Sequence, residues 1–255
     1  MPEQTIVLPS MRVDGKWVLV TGAGRGIGRG AALALAEAGA SIIALSRTAA
    51  EIEAVVEIIR ERGGQAEAIV CDVTDSAQLR SAFAAINRVD ILVNNAGISQ
   101  PRPFLETSED EIAGVIDLNV KAATLVAQAG AKMMVTQQSG VIINLSSTFG
   151  KVGRGGNAIY SGSKHFIEGL TKSLALELAG DGVRVVAIGP TAVITPMTAA
   201  RFADPEQGGD LLSRIPLGRF GEVEDCVGAI VFLASPAASL ITGVTIMVDG
   251  GWTAQ

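Results

Sequence analysis

The chain of 255 residues has few of the side chains on which several enzyme classes depend: one Tyr, two Trp, two Cys and one His. A single histidine, His165, cannot build a histidine-based metal site or a Ser-His-Asp triad, so no metal is predicted and His165 is interpreted as a packing or subunit-contact residue. The two cysteines, Cys71 and Cys226, occur without an export signal. This favours reduced, buried thiols and a cytoplasmic location.

Basic residues are also scarce, with 20 Lys and Arg against 26 Asp and Glu and a net charge of −6. This balance disfavours nucleic acid and anionic membranes as partners. No continuous apolar run approaches the ~20 residues that a membrane-spanning helix needs. The composition that remains, 48% hydrophobic and 18% charged, is typical of a well-buried globular protein.

Short apolar runs alternate along the chain with longer stretches of helical character. Strands are predicted at 17–20, 41–45, 66–70, 91–93, 141–145, 183–188 and 244–248. Helices are predicted at 26–38, 49–62, 76–86, 108–137, 158–179 and 222–234. Because near-continuous apolar strands separated by helices form parallel sheets covered on both faces, the pattern predicts an α/β fold. We expect a Rossmann-like, doubly wound domain with a mostly parallel seven-stranded sheet.

No repeat or linker divides the chain. Residues 1–12 are predicted to be a loose N-terminal leader, and residues 13–255 a single dinucleotide-binding and catalytic domain. The connection 195–216 is long, contains Pro196, Pro205 and a Gly-Gly pair, and follows the carboxyl end of a predicted strand. Long loops in compact domains are usually functional, so this one is predicted to be a substrate lid.

A glycine-rich turn at residues 21–28, TGAGRGIG, lies between the first predicted strand and the first predicted helix. In this context Gly22 permits the tight turn, Gly26 lets a pyrophosphate approach the backbone beside Ile27, and Gly28 lets helix and strand pack closely. The phosphates then lie at the helix N-terminus. The spacing, G-x-x-x-G-x-G, differs from the common G-x-G-x-x-G dinucleotide fingerprint.

Tyr160 and Lys164 are four residues apart, so on a helix they share one face. A nearby ammonium favours the phenolate, which predicts a lowered pKa for Tyr160 and a phenol able to act as a general acid. Ser147 lies thirteen residues before Tyr160. A lone Y-x-x-x-K pair is weak evidence, but here it accompanies the glycine turn.

With these two motifs, five further segments occur in a fixed order and make the chain resemble the short-chain dehydrogenase/reductase family from about Val13 to the C-terminus. The segments are Asp72-Val73, Asn94-Asn95-Ala96-Gly97 with Asn119, Asn144-Leu145-Ser146-Ser147, Pro190 with Thr195, and Val248-Asp249-Gly250-Gly251. The resemblance implies a homotetramer built on a four-helix contact, with a dimer as the fallback.

The resemblance also implies catalytic roles. Tyr160 would donate the proton in reduction and accept it in oxidation, and Lys164 would lower its pKa and hold the nicotinamide ribose. Ser147 would bind the substrate oxygen. Asn119 would hold a water that links Lys164 to solvent; alternatively, it bonds a neighbouring helix carbonyl.

The resemblance also implies that residues just after the strand ends contact the cofactor. The resemblance implies that Asp72 accepts a hydrogen bond from the adenine amino group and that Val73 donates its N–H; Asp72 as a helix cap is the alternative, although Asp75 is the better cap. For Asn94, cofactor binding and a role in pinning neighbouring strands stay equally open. Further contacts are expected from Ala96, Gly97, Pro190, Val193 and Thr195.

One position departs from the family pattern, because Thr191 follows Pro190 where glycine is usual. A β-branched residue tolerates neither positive φ nor close backbone approach. Either the loop is ordinary here, or the contacts of Val193 and Thr195 with the carboxamide end of the nicotinamide differ.

The choice of cofactor depends on the end of the second predicted strand. NAD-specific sites place an acidic residue about 20 positions after the glycine turn, and Ser46 stands there instead. The Ser46 hydroxyl can donate to a 2′-phosphate, and Arg47 and Arg25 can bracket it with charge-assisted bonds, which predicts NADP(H), with NAD also possible. The alternative is that both arginines are solvated surface residues.

The chain is therefore predicted to be an NADP(H)-dependent oxidoreductase that interconverts a carbonyl and an alcohol. Its motifs resemble sugar and sugar-acid dehydrogenases and 3-oxoacyl-carrier-protein reductases, so the substrate is expected to be a sugar acid, a polyol or a 3-oxoacyl thioester. Lys151, Arg154 and Arg201 could supply a cationic pocket rim, or could simply be solvated. A catalytically silent dinucleotide-binding redox sensor is the alternative function.

Overall fold

Seven parallel strands form one sheet in the computed structural model, which describes residues 7–196 and 198–255. The strands are β1 Trp17–Thr21, β2 Ser41–Ser46, β3 Ala66–Val70, β4 Ile91–Asn94, β5 Gly140–Leu145, β6 Val183–Pro190 and β7 Thr245–Val248. Their order is β3-β2-β1-β4-β5-β6-β7, and every pairing is parallel. The predicted Rossmann-like, doubly wound fold is confirmed, and the sheet is parallel throughout rather than mostly so.

Nine α-helices accompany the sheet in the described part of the chain. They are α1 Gly26–Glu37, α2 Ala49–Glu61, α3 Ser76–Ala85, α4 Glu109–Ile116, α5 Ala123–Gln137, α6 Ala158–Leu178, α7 Ala199–Ala203, α8 Pro205–Ser213 and α9 Val223–Ala234. Because strand side chains alternate between faces, Val18 and Val20 pack with α1, α2 and α9 while Leu19 packs with α3, α5 and α6. The two cores hold the carboxyl ends of β1 to β6 in one row.

The predicted helix 108–137 is interrupted. Between α4 and α5 the backbone forms a π-helical turn, Asp117–Ala122, without leaving the helix axis. By length and composition alone the stretch Glu109–Gln137 could cross a membrane, although no continuous apolar run of that size was found in the sequence. Ala, Val, Ile, Leu and Met supply its hydropathy. The core helix of a globular protein passes the same test, and here one face, including Val126 and Met134, packs on the sheet.

Two predictions of irregular structure have different outcomes. Residues 1–6 of the leader lie outside the described residues, and residues 7–12 are exposed and form no helix or strand. The connection 195–216, apart from Met197, which also lies outside the described residues, is not irregular: it contains α7 and α8. Pro205 begins α8, a position where proline is compatible with a helix. Gly208 lies directly against the Phe202 carbonyl, so this glycine serves close packing of the two helices.

Candidate active site

The carboxyl ends of six strands open into one cavity of about 370 Å³. It is lined by most of the residues singled out from the sequence: Gly22, Arg25, Gly26, Ile27, Ser46, Arg47, Asp72, Val73, Ala96, Gly97, Ser147, Tyr160, Lys164, Pro190, Val193 and Thr195. Three others, Gly28, Asn94 and Asn119, lie behind this surface. The structure therefore brings the two motifs together, although more than 130 residues of sequence separate them.

The glycine turn adopts the backbone that its spacing requires. Gly22 and Gly26 have φ angles of 65° and 55°, a region that disfavours side chains with a Cβ atom. Gly28 supports the turn from behind, because a side chain there would collide with the Gly22 carbonyl. At Gly22 an added Cβ would lie 2.9 Å from the Asn95 side chain, so the turn is packed as well as tightly bent. The helix N-terminus of α1 faces the cavity beside it.

Two arginines border the end of the cavity formed by β1 and β2. Arg25 and Arg47 are exposed, line the cavity, and form no ion pair within the described ranges. Ser46, rather than an acidic residue, ends β2, and its Oγ accepts a hydrogen bond from the Thr48 N–H at 3.2 Å. Sequence reasoning missed Glu51, which also lines this end; its carboxylate lies next to Gly24, where an added Cβ would be 2.6 Å from Oε2.

Asp72 and Asp75 have separate tasks. Asp75 caps α3 by accepting hydrogen bonds from the backbone of Ala77 and Gln78, and these bonds lower the pKa of its carboxyl. Asp72 accepts instead from the backbone and hydroxyl of Thr74, at 2.9 and 2.7 Å, and lines the cavity. The cap alternative for Asp72 is therefore wrong, and its side chain is placed at the cavity wall.

Asn94 is a scaffold residue. Its buried Nδ2 donates to the Ala123 carbonyl at 2.9 Å and to Asn144 Oδ1 at 3.1 Å, tying β4 to α5 and β5. Of the two roles left open for Asn94, the structure shows the one that pins neighbouring strands and not the cofactor contact. The adjacent Asn95, which belongs to the same sequence motif but was given no role of its own, lines the cavity and donates to the carbonyls of Thr21 and Gly22.

Asn119 occupies the π-helical turn, which turns its side chain toward the loop that follows β4. Its Nδ2 donates to the Ile98 carbonyl at 2.8 Å and its Oδ1 accepts from the Ile98 N–H at 2.9 Å. These bonds cross to another segment, so the alternative of a local helix carbonyl is wrong. A Cβ added at Gly97 would lie 3.2 Å from Asn119 Oδ1 and 3.7 Å from Lys164 Nζ, which places all three groups side by side.

Ser147, Tyr160 and Lys164 meet at the cavity wall near the end of β5. Lys164 Nζ donates to the Leu145 carbonyl at 2.7 Å and lies 5.7 Å from the centroid of the Tyr160 ring. Burial lowers the pKa of Lys164 to about 8. Burial raises the pKa of Tyr160, and a hydrogen bond with Ser147 opposes this shift only in part. In this structure the prediction that Lys164 lowers the pKa of Tyr160 is therefore wrong, because desolvation is the dominant effect.

The opposite wall of this region is aromatic. The Phe149 ring meets the Tyr160 ring edge-on, with centroids 6.2 Å apart, and meets the Trp252 ring in the same way at 5.9 Å. Phe202 and Leu211, from the two helices of the 195–216 connection, complete the surface. Trp252 comes from the C-terminal segment, which Asp249 holds by accepting hydrogen bonds from Gly251 and Thr253. Sequence reasoning gave Trp252 no role at the cavity.

The matches to known proteins agree with this geometry. A family profile described as enoyl-(acyl carrier protein) reductase matches residues 22–253. L-xylulose reductase of Bos taurus is 40% identical over 245 residues, 96% of this chain and 99% of the bovine one. The chain belongs to the short-chain dehydrogenase/reductase family. A 3-oxoacyl-[acyl-carrier-protein] reductase of Synechocystis sp. is 42% identical over 241 residues, 91% of this chain and 95% of the relative.

A crystal structure extends the comparison to the cofactor. Gluconate 5-dehydrogenase from Burkholderia cenocepacia, solved in complex with NADP and tartrate, superposes with a TM-score of 0.93. It is 35% identical, and the alignment covers 97% of this chain and 99% of that one. NADP in this short-chain dehydrogenase agrees with the cofactor predicted from the sequence.

The protein accommodates Thr191 in the segment after β6 without strain. The Thr191 N–H donates to the Val248 carbonyl at 3.1 Å, and Thr191 is not among the residues with positive φ. The loop is therefore ordinary here, and Val193 and Thr195 still line the cavity. The predicted cationic rim does not form from Lys151 or Arg154, whose side chains pair with Glu168 and Asp210 and do not line the cavity. The side chain of Arg201 lies outside the described residues.

Proposed function

We propose that the protein is an NADP(H)-dependent oxidoreductase that interconverts a carbonyl and an alcohol. The observation that carries this proposal is the shared cavity: Ser147, Tyr160 and Lys164 lie at one end, and Arg25 and Arg47, which form no ion pair with any residue that the structure describes, lie at the other. A dinucleotide that reaches from the arginines to the tyrosine accounts for both ends at once.

The residues present fit this cofactor. Gly22 and Gly26 form a cradle at the start of α1, where peptide N–H groups and the helix dipole favour a pyrophosphate. Arg25 and Arg47 would hold the 2′-phosphate, and Asp72 with Val73 the adenine. Pro190, Val193 and Thr195 would border the nicotinamide. When bound, the cofactor supplies the hydride that reduces the carbonyl carbon.

Tyr160 would move the proton. Because its pKa is raised, the phenol is protonated near neutral pH and is suited to donate to the developing alkoxide. Ser147 would hydrogen-bond the same oxygen, where stabilisation of developing charge is worth about 3 kcal/mol. Lys164 would hold the nicotinamide ribose. Asn119 would position the loop after β4, next to Lys164, and a bound water there would link Lys164 to solvent.

For the substrate we propose a sugar acid, a polyol or a 3-oxoacyl thioester. Relatives named for L-xylulose, gluconate and 3-oxoacyl carrier protein all cover nearly the whole chain. The test is a panel of sugars, sugar acids, acyl thioesters and cyclic ketones, followed by NADPH absorbance. A wild-type kcat/KM with NADH equal to or above that with NADPH would contradict the cofactor preference. NADPH binding without turnover of any panel member would favour the redox-sensor alternative.

We also propose that residues 13–255 work as one catalytic domain with 195–216 as its substrate lid. Leu211 of α8 lines the cavity, and Arg154 fixes α8 through a 2.8 Å contact to Asp210. Proteolysis at 195–216 should be slowed by substrate if this segment closes over it.

A homotetramer is proposed for the assembly, with a dimer as the fallback, and a cytoplasmic location for the protein. On α6 the apolar side chains of Leu176 and Phe166 are 84% and 39% exposed, and Ile116 of α4 is 40% exposed. A helix that is apolar beyond its core stripe needs a second partner. Light scattering that gave a monomer at micromolar concentration would contradict both assemblies.

A further inference from the structure

A buried carboxylate, that of Glu168, lies one helical turn after Lys164 on α6. Both of its oxygens are engaged. Oε1 accepts a hydrogen bond from Ser146 Oγ at 2.5 Å, and Oε2 accepts from Lys151 Nζ at 2.5 Å and from Thr245 Oγ1 at 2.7 Å. Three other parts of the chain therefore converge on this side chain of α6: the residue after β5, the end of the turn that follows it, and β7.

Burying a charged carboxylate destabilises the folded state unless each of its hydrogen bonds is made. Burial alone would raise the pKa of Glu168, but hydrogen bonds from Lys151, Ser146 and Thr245 outweigh it and the net pKa is lowered, so the carboxylate stays charged at neutral pH. Compared with well-packed apolar residues, buried ion pairs add little net stability. Buried ion pairs instead fix one arrangement of the groups around them, and Glu168 can do this for the segments that it bonds.

The segment that it holds carries Ser147. Ser146 immediately precedes Ser147, and Lys151 closes the short 3₁₀ turn Thr148–Gly150 that follows. The turn sits directly on the carboxylate, since a Cβ added at Gly150 would lie 2.5 Å from Ser146 Oγ and 3.2 Å from Glu168 Cγ. Glu168 thus anchors the chain on both sides of Ser147.

Lys164 anchors the same chain one residue earlier, through its 2.7 Å bond to the Leu145 carbonyl. Two residues one turn apart on α6 thereby attach consecutive residues at the end of β5. The helix that carries Tyr160 and the segment that carries Ser147 are locked in register by these two bonds.

We propose that Glu168 is a positioning residue that sets the Ser147 hydroxyl relative to Tyr160. The inference rests on the proposed function, in which those two groups bind the substrate oxygen together. Glu168 does not line the cavity and acts only through the Ser146–Lys151 segment.

The kinetic test is a double-mutant cycle. Glu168→Gln keeps the size of the side chain and removes the charge, and should lower kcat about tenfold or more while leaving KM for NADPH unchanged, since small misplacements of reacting groups are costly. In the Ser147→Ala background the same change should cost less than about twofold, because the hydroxyl that it positions is gone. Glu177→Gln, on an exposed part of α6, is the matched control and should be neutral.

Additive losses in the two backgrounds would overturn the proposal, as would an unchanged kcat in Glu168→Gln. If Glu168→Gln does not fold, Ser146→Ala, which deletes only the bond nearest Ser147, replaces it in the cycle with the same expected non-additivity.

A second measurement does not depend on turnover. Amide hydrogen exchange should accelerate in Glu168→Gln over residues 145–152 and remain as in wild type over the glycine turn. Uniform or absent acceleration contradicts the positioning role even if no substrate is found, whereas an inactive wild type with the local acceleration contradicts the proposed function alone.

Discussion

The two ends of the cavity are built differently. At the cofactor end four glycines, Gly22, Gly24, Gly26 and Gly97, expose backbone beside the side chains that follow the strands, and the strands beneath fix the position of this surface. At the substrate end it is side chain: Phe149, Trp252 and Leu211 come from a turn after β5, the C-terminal segment and α8. A surface of backbone is set by strand order and glycine placement, whereas a surface of side chains is set by packing between distant segments. The first can be recognised in the sequence, while the second becomes visible only in three dimensions.

The largest expected effect separates chemistry from binding. Tyr160→Phe keeps the ring that packs on Phe149 and removes the proton, so kcat should fall about 10³-fold, within the range for general acid catalysis. The Kd for NADPH, measured by fluorescence, should stay as in wild type. Substantial residual turnover would show that another group moves the proton and that the shared cavity has been misinterpreted.

The cofactor end can be tested by its charges. Arg47→Asp removes a partner of the 2′-phosphate and adds repulsion. It should lower kcat/KM for NADPH about 100-fold, while kcat/KM for NADH changes little. Glu51→Gln is the control of opposite sign: it removes a carboxylate from the same wall and should raise the NADPH preference a few-fold, in keeping with a partly exposed charge. Equal losses with both cofactors in Arg47→Asp would mean that Arg47 does not recognise the phosphate.

At the junction of the two ends, Lys164 predicts a pH dependence. Its pKa of about 8 means that the ammonium is present below that pH and lost above it. In reduction, kcat/KM for NADPH, which reports the free enzyme, should be level below pH 8 and fall up to about tenfold per pH unit above it.

Above pH 8 the folding stability that depends on Lys164 should rise while activity falls. Because the folded pKa of Lys164 lies below the unfolded value, its contribution to stability rises between pH 8 and about 10.4. A midpoint of thermal unfolding that falls in step with activity would assign the loss to unfolding instead.

The smallest effect is expected at the aromatic wall. Trp252→Ala should raise KM for the carbonyl substrate about tenfold, the amount that loss of an aromatic contact supplies, with KM for NADPH unchanged. Leu240→Ala, at a side chain 97% exposed, serves as the control. A matching rise in KM for NADPH would show that the two ends are not separate.

The strands and the glycine turn were predictable because each is a local pattern. Every predicted strand is present to within two residues at either end, since apolar runs of this kind can be buried only in a covered sheet. Tyr160 and Lys164 share a face for the same local reason.

What the sequence did not reveal depends on contacts between distant residues. Asn94 and Asn95 are adjacent and chemically identical, yet only the second reaches the cavity, because Asn94 ends β4 with its side chain bonded to α5 and β5, whereas Asn95 begins the loop after the strand. The pKa of Tyr160 was predicted from its nearest charge, whereas burial by the whole surrounding wall decides its direction. Helices α7 and α8 were hidden by a proline and two glycines that normally indicate loops.

The π-helical turn between α4 and α5 has a consequence for how this gene can vary. Six residues, Asp117–Ala122, occupy a stretch that is wound more loosely than an α-helix, and Asn119 reaches Ile98 from it. Deleting one codon there would let the six residues become five residues of regular α-helix, which turn through nearly the same total angle at about 100° per residue. The face of α5 that holds Val126 and Met134 would therefore stay on the sheet, while Asn119 would lose its reach to Ile98. In a mutational scan, loss of one residue from this segment should spare the fold and abolish activity.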